Sequence, residues 1–95
     1  MTAYVIAEVE ITDPAAYGEY RRRVNAVNAR FGGRFVARGG RIEALEGGWS
    51  PERVVIVEFP SMEQALKWYR SADYAELIEL REKSSRFRMI ALEGS

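Results

Sequence analysis

Acid–base chemistry in this chain would have to come from carboxylates or phenols, because the sequence contains no histidine and no cysteine. Glu58 is the leading candidate for a catalytic acid or base, since it lies near the end of residues 53–59, the strongest strand pattern in the chain. Burial there would raise the pKa of its carboxyl group, whereas a neighbouring arginine such as Arg38, Arg53 or Arg81 would hold it charged. The alternative role is a structural ion pair.

A second candidate site is the segment Arg38-Gly39-Gly40, whose residue types suit an anionic ligand. The guanidinium of Arg38 can pair with a carboxylate or phenolate, and Gly39 and Gly40 can bring backbone N–H groups close to the same anion. The alternative is a turn that needs glycine for a positive φ. No Lys-Ser or Lys-Thr pair follows, so the segment is not a phosphate-binding P-loop.

Aromatic side chains on predicted helices form a third group: Tyr17, Tyr20, Trp68, Tyr69 and Tyr74. They would form the wall of a cleft that holds a flat or apolar ligand, with phenol groups orienting it. Tyr17, Tyr20, Trp68 and Tyr69 are therefore predicted to bind the ligand. The alternative is ordinary packing in the core and at an interface.

Two single residues complete the candidate set. Arg81 lies on the apolar face of the last predicted helix, so we expect it to point toward the region of Glu58 and to bind the ligand. Trp49 lies in a loop rich in glycine and proline and is predicted to anchor a partner subunit, with a lid over a ligand as the alternative.

Composition narrows the classes of cofactor and partner. Zinc, haem iron and iron–sulfur clusters are held mainly by Cys and His, so we expect no metal site and no cofactor. Fourteen basic residues balance fourteen acidic ones, and a neutral chain has no long-range attraction for nucleic acid. Without an apolar run of roughly 20 residues or a signal-peptide pattern, we expect a soluble cytoplasmic protein with no membrane partner.

The hydrophobic pattern predicts the elements that position these residues. Alternating or continuous apolar runs predict four strands, over residues 4–11, 34–38, 53–59 and 86–93. Apolar residues three and four apart predict three helical segments, from Pro14 to the glycines at 32–33, from Ser61 to about Arg70, and from residues 71–73 to about Lys83. Residues 42–45 are expected to extend the second strand or to form a hairpin.

The order β-α-β-β-α-β, with the second helix broken, is typical of a ferredoxin-like α+β fold with a four-stranded antiparallel sheet, here in one domain over residues 1–95. Two helical crossovers cover only one face of that sheet. The other face, called the open face below, would carry either Val54 and Ile56 or Val55 and Val57. Such an apolar patch favours pairing of two copies, sheet against sheet, so we expect an obligate homodimer.

Several short motifs occur together and in order along nearly the whole chain: Thr12-Asp13-Pro14 with Tyr17 and Tyr20, residues 31–35, 36–40, 45–47, 49–61 and 65–71 with Tyr74, and Leu92-Glu93-Gly94. On these motifs the chain resembles the DUF1330 family of the dimeric α/β-barrel superfamily. The resemblance implies a ferredoxin-like protomer that pairs through its sheet, and it implies no reaction. Superfamily relatives include cofactor-free monooxygenases, haem enzymes and lactone isomerases, and the haem branches with a histidine ligand do not fit this composition.

Two hypotheses about function follow. The first is a homodimer with a site for a small anionic or aromatic molecule, in which Arg38 binds the anion, Glu58 is the acid or base, and no metal or organic cofactor is needed. The second is a non-enzymatic module that binds a metabolite or serves as a stable dimer.

Overall fold

The computed structural model describes residues 1–95. The elements follow one another as β1 (Ala3–Ile11), α1 (Pro14–Arg30), β2 (Arg34–Arg38), β3 (Arg53–Phe59), α2 (Met62–Tyr69), α3 (Ala72–Ser84) and β4 (Ser85–Glu93). The predicted ferredoxin-like α+β fold is confirmed. Because the second crossover consists of two helices, the full order is β-α-β-β-α-α-β.

Local chemistry sets the helix ends. The side chains of Asp13, Ser61 and Ser71 each accept a hydrogen bond from a backbone N–H three residues later, which satisfies a donor that the helix leaves free. The break between α2 and α3 was predicted, and its capping side chain is that of Ser71. Gly32 follows the C-cap of α1 with a φ of 79°, a conformation that glycine adopts without strain.

The four strands form one antiparallel sheet in the order β2-β3-β1-β4. Strand β3 is therefore central, as its apolar pattern predicts. A bulge between Phe35 and Ala37 shifts the register of β2 against β3. The expected extension over residues 42–45 is not present, because Gly39 turns the chain away with a φ of 71° directly after β2.

The helices cover the inner face of the sheet, and the core lies between them. It combines alternate residues of β1 and β3 with aromatic and branched side chains of the helices: Val5, Ala7, Val9, Val57, Phe59, Tyr17, Tyr20, Val24, Val27, Ala65, Trp68, Tyr74 and Leu77. Burial of this set supplies the hydrophobic free energy of folding.

The open face carries a row of apolar side chains that crosses all four strands. Directly opposed residues in the register are Ala37, Ile56, Ile6 and Ile90, one from each strand. Of the two pairs that the sequence leaves open, Val54 and Ile56 therefore lie on this face. The Ile90 side chain is 61% exposed. No helix is long and apolar enough to cross a membrane.

Candidate functional site

A narrow cavity lies between α1 and the inner face of the sheet. Twelve of its 16 lining residues are hydrophobic, and the polar ones are Arg21, Asn28, Arg38 and Arg53. The space open to the centre of a water molecule is about 30 Å³. One ordered water needs about 10–15 Å³ on that measure. The space is therefore small, and it favours a thin, flat group over a bulky one.

Asn28 is the most unusual side chain in the cavity wall. It is fully buried on α1, and neither its Oδ1 nor its Nδ2 has a hydrogen-bond partner within the protein. Leaving a buried amide without partners costs about 1–3 kcal/mol. Asn28 lies four residues after Val24 and eight after Tyr20, so the signal that could have found it is a polar residue within the apolar stripe of the helix.

Two further buried donors face the same cavity. Trp68 is 2% exposed, and its indole Nε1 has no acceptor. The Nε of Arg53 is also buried without an acceptor. Asn28, Trp68 and Arg53 together hold four of the five buried side-chain polar atoms that lack a partner, and all three residues line this cavity. Unsatisfied polar groups concentrated in one place indicate a site built for a bound group.

A hydrogen-bonded cluster of Tyr20, Tyr74 and Arg81 lies at the cavity wall. The two phenol oxygens are 2.9 Å apart, and Arg81 Nη1 donates to Tyr74 Oη at 3.0 Å. Burial raises the pKa of the Tyr20 phenol far above its ordinary value, and the charge of the neighbouring Tyr74 adds to the rise. Burial also raises the pKa of Tyr74, although Arg81 and the hydrogen bond with Tyr20 oppose it. Both phenols are therefore neutral near pH 7.

Unpaired arginines line the cavity where it approaches the surface. Arg38 is exposed, donates from Nη2 to the backbone oxygen of Arg21 at 3.2 Å, and lies 4.1 Å above the centre of the Phe35 ring. Arg21, Arg38 and Arg53 form no ion pair with a carboxylate, whereas seven other arginines do. These free guanidinium groups are suited to an anionic ligand.

The two glycines after Arg38 have different surroundings. The Arg53 guanidinium occupies the space that a Cβ at Gly39 would need, and the Gly39 N–H donates to the Val54 carbonyl at 3.0 Å. That N–H is thus engaged within the sheet, and Gly39 has the alternative role of a turn residue. Gly40 is exposed with nothing near the position of a Cβ. Of the three predicted anion-binding residues, only Arg38 lines the cavity.

Glu58 lies away from the cavity. It is opposite Arg34 in the register on the open face, and Arg34 Nε donates to its Oε2 at 2.7 Å. The cation beside Glu58 is therefore Arg34, and not Arg38, Arg53 or Arg81 as expected. The reason is register: β2 and β3 pair so that Arg34 is the nearest cation on that face. A catalytic role for Glu58 stays a prediction.

The remaining candidate residues divide between three places. Tyr17, Tyr20 and Trp68 line the cavity as predicted. Tyr69 is 43% exposed and lines a separate groove between α2 and β4. Arg81 contacts the cavity through Tyr74 and not through the region of Glu58. Trp49 is 58% exposed beside the open face, in a groove that it shares with side chains of the sheet.

No group of three or more His, Cys, Asp and Glu side chains is placed to hold a metal ion. The residues that could hold an organic group are those of the cavity wall. They offer donors from Asn28 and Trp68, an amide oxygen, neutral phenols and guanidinium groups. This set can bind oxyanions and carbonyl oxygens, and it contains no carboxylate that could act as a base.

A family model matches residues 2–95, which is nearly the whole chain; it is described as a domain of unknown function, DUF1330. The chain belongs to the DUF1330 family. This DUF1330 protein has no match among curated proteins.

Solved structures share the fold of this DUF1330 protein. A protein of unknown function from Rhodopseudomonas palustris aligns with a TM-score of 0.79 and 23% identity, over 99% of this chain and 82% of the other. SnoaB, a cofactor-independent oxygenase from Streptomyces nogalater, aligns with a TM-score of 0.71 and 14% identity, over 99% of this chain and 93% of the other. A dimeric protein of unknown function with a ferredoxin-like fold, from Bacteroides fragilis, aligns with a TM-score of 0.65 and 9% identity, over 98% of this chain and 96% of the other. At these identities the likeness shows the fold alone.

Proposed function

We propose that this DUF1330 protein binds a small, flat, anionic molecule in the cavity between α1 and the sheet. The observation that carries the proposal is the fully buried amide of Asn28, which has no partner for either polar atom and lines the cavity. A side chain in that state costs stability unless a bound group satisfies it. The free donors of Trp68 and Arg53 at the same cavity support the same conclusion.

Each part of the cavity has a role in this proposal. Arg38 and Arg21 hold the anionic group of the ligand where the cavity reaches the surface. The rings of Tyr17 and Trp68 contact the faces of the flat part, and Asn28 binds a carbonyl or hydroxyl group in the interior. The narrow space excludes branched or bulky ligands.

The proposed ligand is a substrate if the protein is an enzyme. SnoaB, which shares the fold, is a cofactor-independent oxygenase, and this supports considering catalysis without an organic cofactor. No carboxylate lines the cavity, so the reactivity would have to come from the ligand itself, held and polarised by arginine, phenol and amide groups.

Substitution of Arg38 by alanine is expected to weaken binding of a flat aromatic carboxylate such as 4-hydroxybenzoate by about tenfold, because one charge-assisted hydrogen bond contributes about 1.5 kcal/mol or more. The fold should be unaffected, since Arg38 is exposed. Isothermal titration calorimetry measures the affinity. The matched control is Arg70→Ala, an exposed arginine outside the cavity. Equal affinities for wild type and Arg38→Ala would count against the proposal.

The proposal also includes a homodimer formed through the open face. The apolar row across the four strands is unpartnered in the single chain, and the exposed ring of Trp49 lies beside it. A flat apolar sheet face of this kind packs well against a second copy of itself. The neighbour from Bacteroides fragilis, which is described as dimeric with a ferredoxin-like fold, supports a dimer.

Light scattering at micromolar concentration is expected to give twice the chain mass of 10.8 kDa. Ile56→Arg, in the middle of the apolar row, should give a folded monomer, because burying an unpaired guanidinium at the interface costs several kcal/mol. Ala75→Arg, an exposed position on α3, is the control and should stay dimeric. A wild-type monomer under these conditions would refute the dimer.

A further inference from the structure

The cluster of Tyr20, Tyr74 and Arg81 holds hydrogen-bond donors without acceptors: one phenol O–H, and the buried Nε of Arg81. A guanidinium can only donate, and Arg81 donates to Tyr74 Oη. The two phenols carry two O–H groups, and the single hydrogen bond between them uses one. Whichever phenol donates in that bond, the other O–H is left without an acceptor. Both tyrosines line the cavity, so the spare donor belongs to a residue of its wall.

Positive charge at the same place has nothing to balance it. Arg81 is 8% exposed, packs 4.4 Å from the centre of the Phe87 ring, and forms no ion pair. The charged and titratable groups that line the cavity are arginines and tyrosines from α1, β2, β3 and α3; β1, α2 and β4 contribute none. A buried cation without an acid is costly unless an anion approaches it.

We propose that the cavity binds its ligand as an oxyanion, either a phenolate or an enolate. The oxygen of this anion accepts a hydrogen bond from the spare O–H of the Tyr20–Tyr74 pair. Arg81 is a positioning residue: it acts through Tyr74, whose phenol it polarises, and its charge stabilises the oxyanion. This inference rests on the proposed function and narrows the ligand to a flat molecule with an acidic O–H besides the anionic group at Arg38. The ligand gives its proton to water, so no side chain has to act as a base.

The chromophore 4-hydroxy-3-nitrobenzoate is a suitable probe. It is flat, it carries a carboxylate for Arg38 at one end, and its acidic phenol at the other end absorbs differently when ionised. The experiment records its absorbance with an excess of wild-type protein at a pH where the free probe is mainly the phenol. We expect the phenolate-to-phenol ratio of the bound probe to be at least about tenfold higher than that of the free probe, which corresponds to about one pKa unit.

Four variants separate the inner group from the surface arginine. Arg81→Met removes the buried positive charge, and Tyr74→Phe removes the phenol through which Arg81 acts. In both variants the bound probe should therefore have the same phenolate-to-phenol ratio as the free probe. Arg81→Lys keeps the charge and should restore part of the change. Arg38→Met should weaken binding and leave the ratio of the bound probe high. Arg70→Met, outside the cavity, is the control.

The outcomes distinguish this inference from the proposed function. Two results would overturn the oxyanion site and leave ligand binding intact. One is a probe that binds the wild type with the phenolate-to-phenol ratio of the free probe. The other is a high ratio that persists in both Arg81→Met and Tyr74→Phe. If neither the probe nor 4-hydroxybenzoate binds the wild-type protein, the proposed function fails and this inference fails with it. Circular dichroism checks that each variant is folded, and Tyr74→Phe carries the test if Arg81→Met does not fold.

Discussion

Replacement of Asn28 by leucine is expected to make the free protein more stable and to abolish ligand binding. Leucine has the same branched shape as asparagine and no polar atoms, and its larger methyl groups can extend into the adjoining cavity, so it removes the unpartnered buried amide. We expect the free energy of unfolding to rise by about 1–3 kcal/mol, which is a higher Tm by several degrees in a domain of this length. Affinity for an aromatic carboxylate should fall more than tenfold, because the inner hydrogen bonds of the ligand are lost. Calorimetry measures both quantities.

Asn25→Leu is the matched control for this prediction, since Asn25 is on the same helix and exposed to solvent. It should change the free energy of unfolding by no more than about 0.5 kcal/mol and leave the affinity unchanged. Stability gained at the cost of binding is typical of a residue retained for function. If Asn28→Leu destabilises the protein and binds the ligand as before, the amide is a structural residue and the proposed site loses its main support.

A steep loss of stability above pH 10 is expected from the paired phenols. Tyrosine has an ordinary pKa of 10.0, and burial raises the pKa of Tyr20 and Tyr74 in the folded state. Their contribution to stability is therefore complete below pH 10 and declines above it, because the unfolded chain loses protons that the folded chain keeps. Each such group lowers the stability by at most about 1.4 kcal/mol per pH unit above pH 10. Urea unfolding at fixed protein concentration between pH 9 and about 11.5 measures it.

Tyr20→Phe should make the alkaline decline shallower, because one of the two raised groups is gone. Tyr69→Phe, at a position that is 43% exposed, serves as the control and should keep the wild-type slope. A wild-type stability that is flat up to pH 11 would show that the phenol pair is accessible to water and ionises freely. The oxyanion site would then lose the neutral donor on which it depends.

The elements of the fold were predictable because their signals are local. Asp13 before a proline, Ser61 three residues before a glutamine, and the alternation in β1 each depend on near neighbours in the chain. The break at Ser71 is readable for the same reason. Only residues 42–45 were mispredicted, where an apolar pattern had no strand to pair with once Gly39 turned the chain.

The cavity was predictable in part. Tyr17, Tyr20 and Trp68 belong to apolar helical stripes, so their inward position followed from spacing. Asn28 was missed because a polar residue in such a stripe is recognisable only when the burial of that turn is known. Glu58 was linked to the wrong arginines because β3 is apolar on both faces, so the sequence does not say which face is inner.

That two-sided character of β3 has a consequence for how such a protein can change during evolution. Successive residues of the strand alternate between two faces. Val55 and Val57 line the cavity, and Val54 and Ile56 lie on the open face. Under the proposed function, substitutions at Val55 and Val57 would therefore alter ligand preference, and those at Val54 and Ile56 would alter assembly. The two properties can diverge independently within a single segment of seven residues.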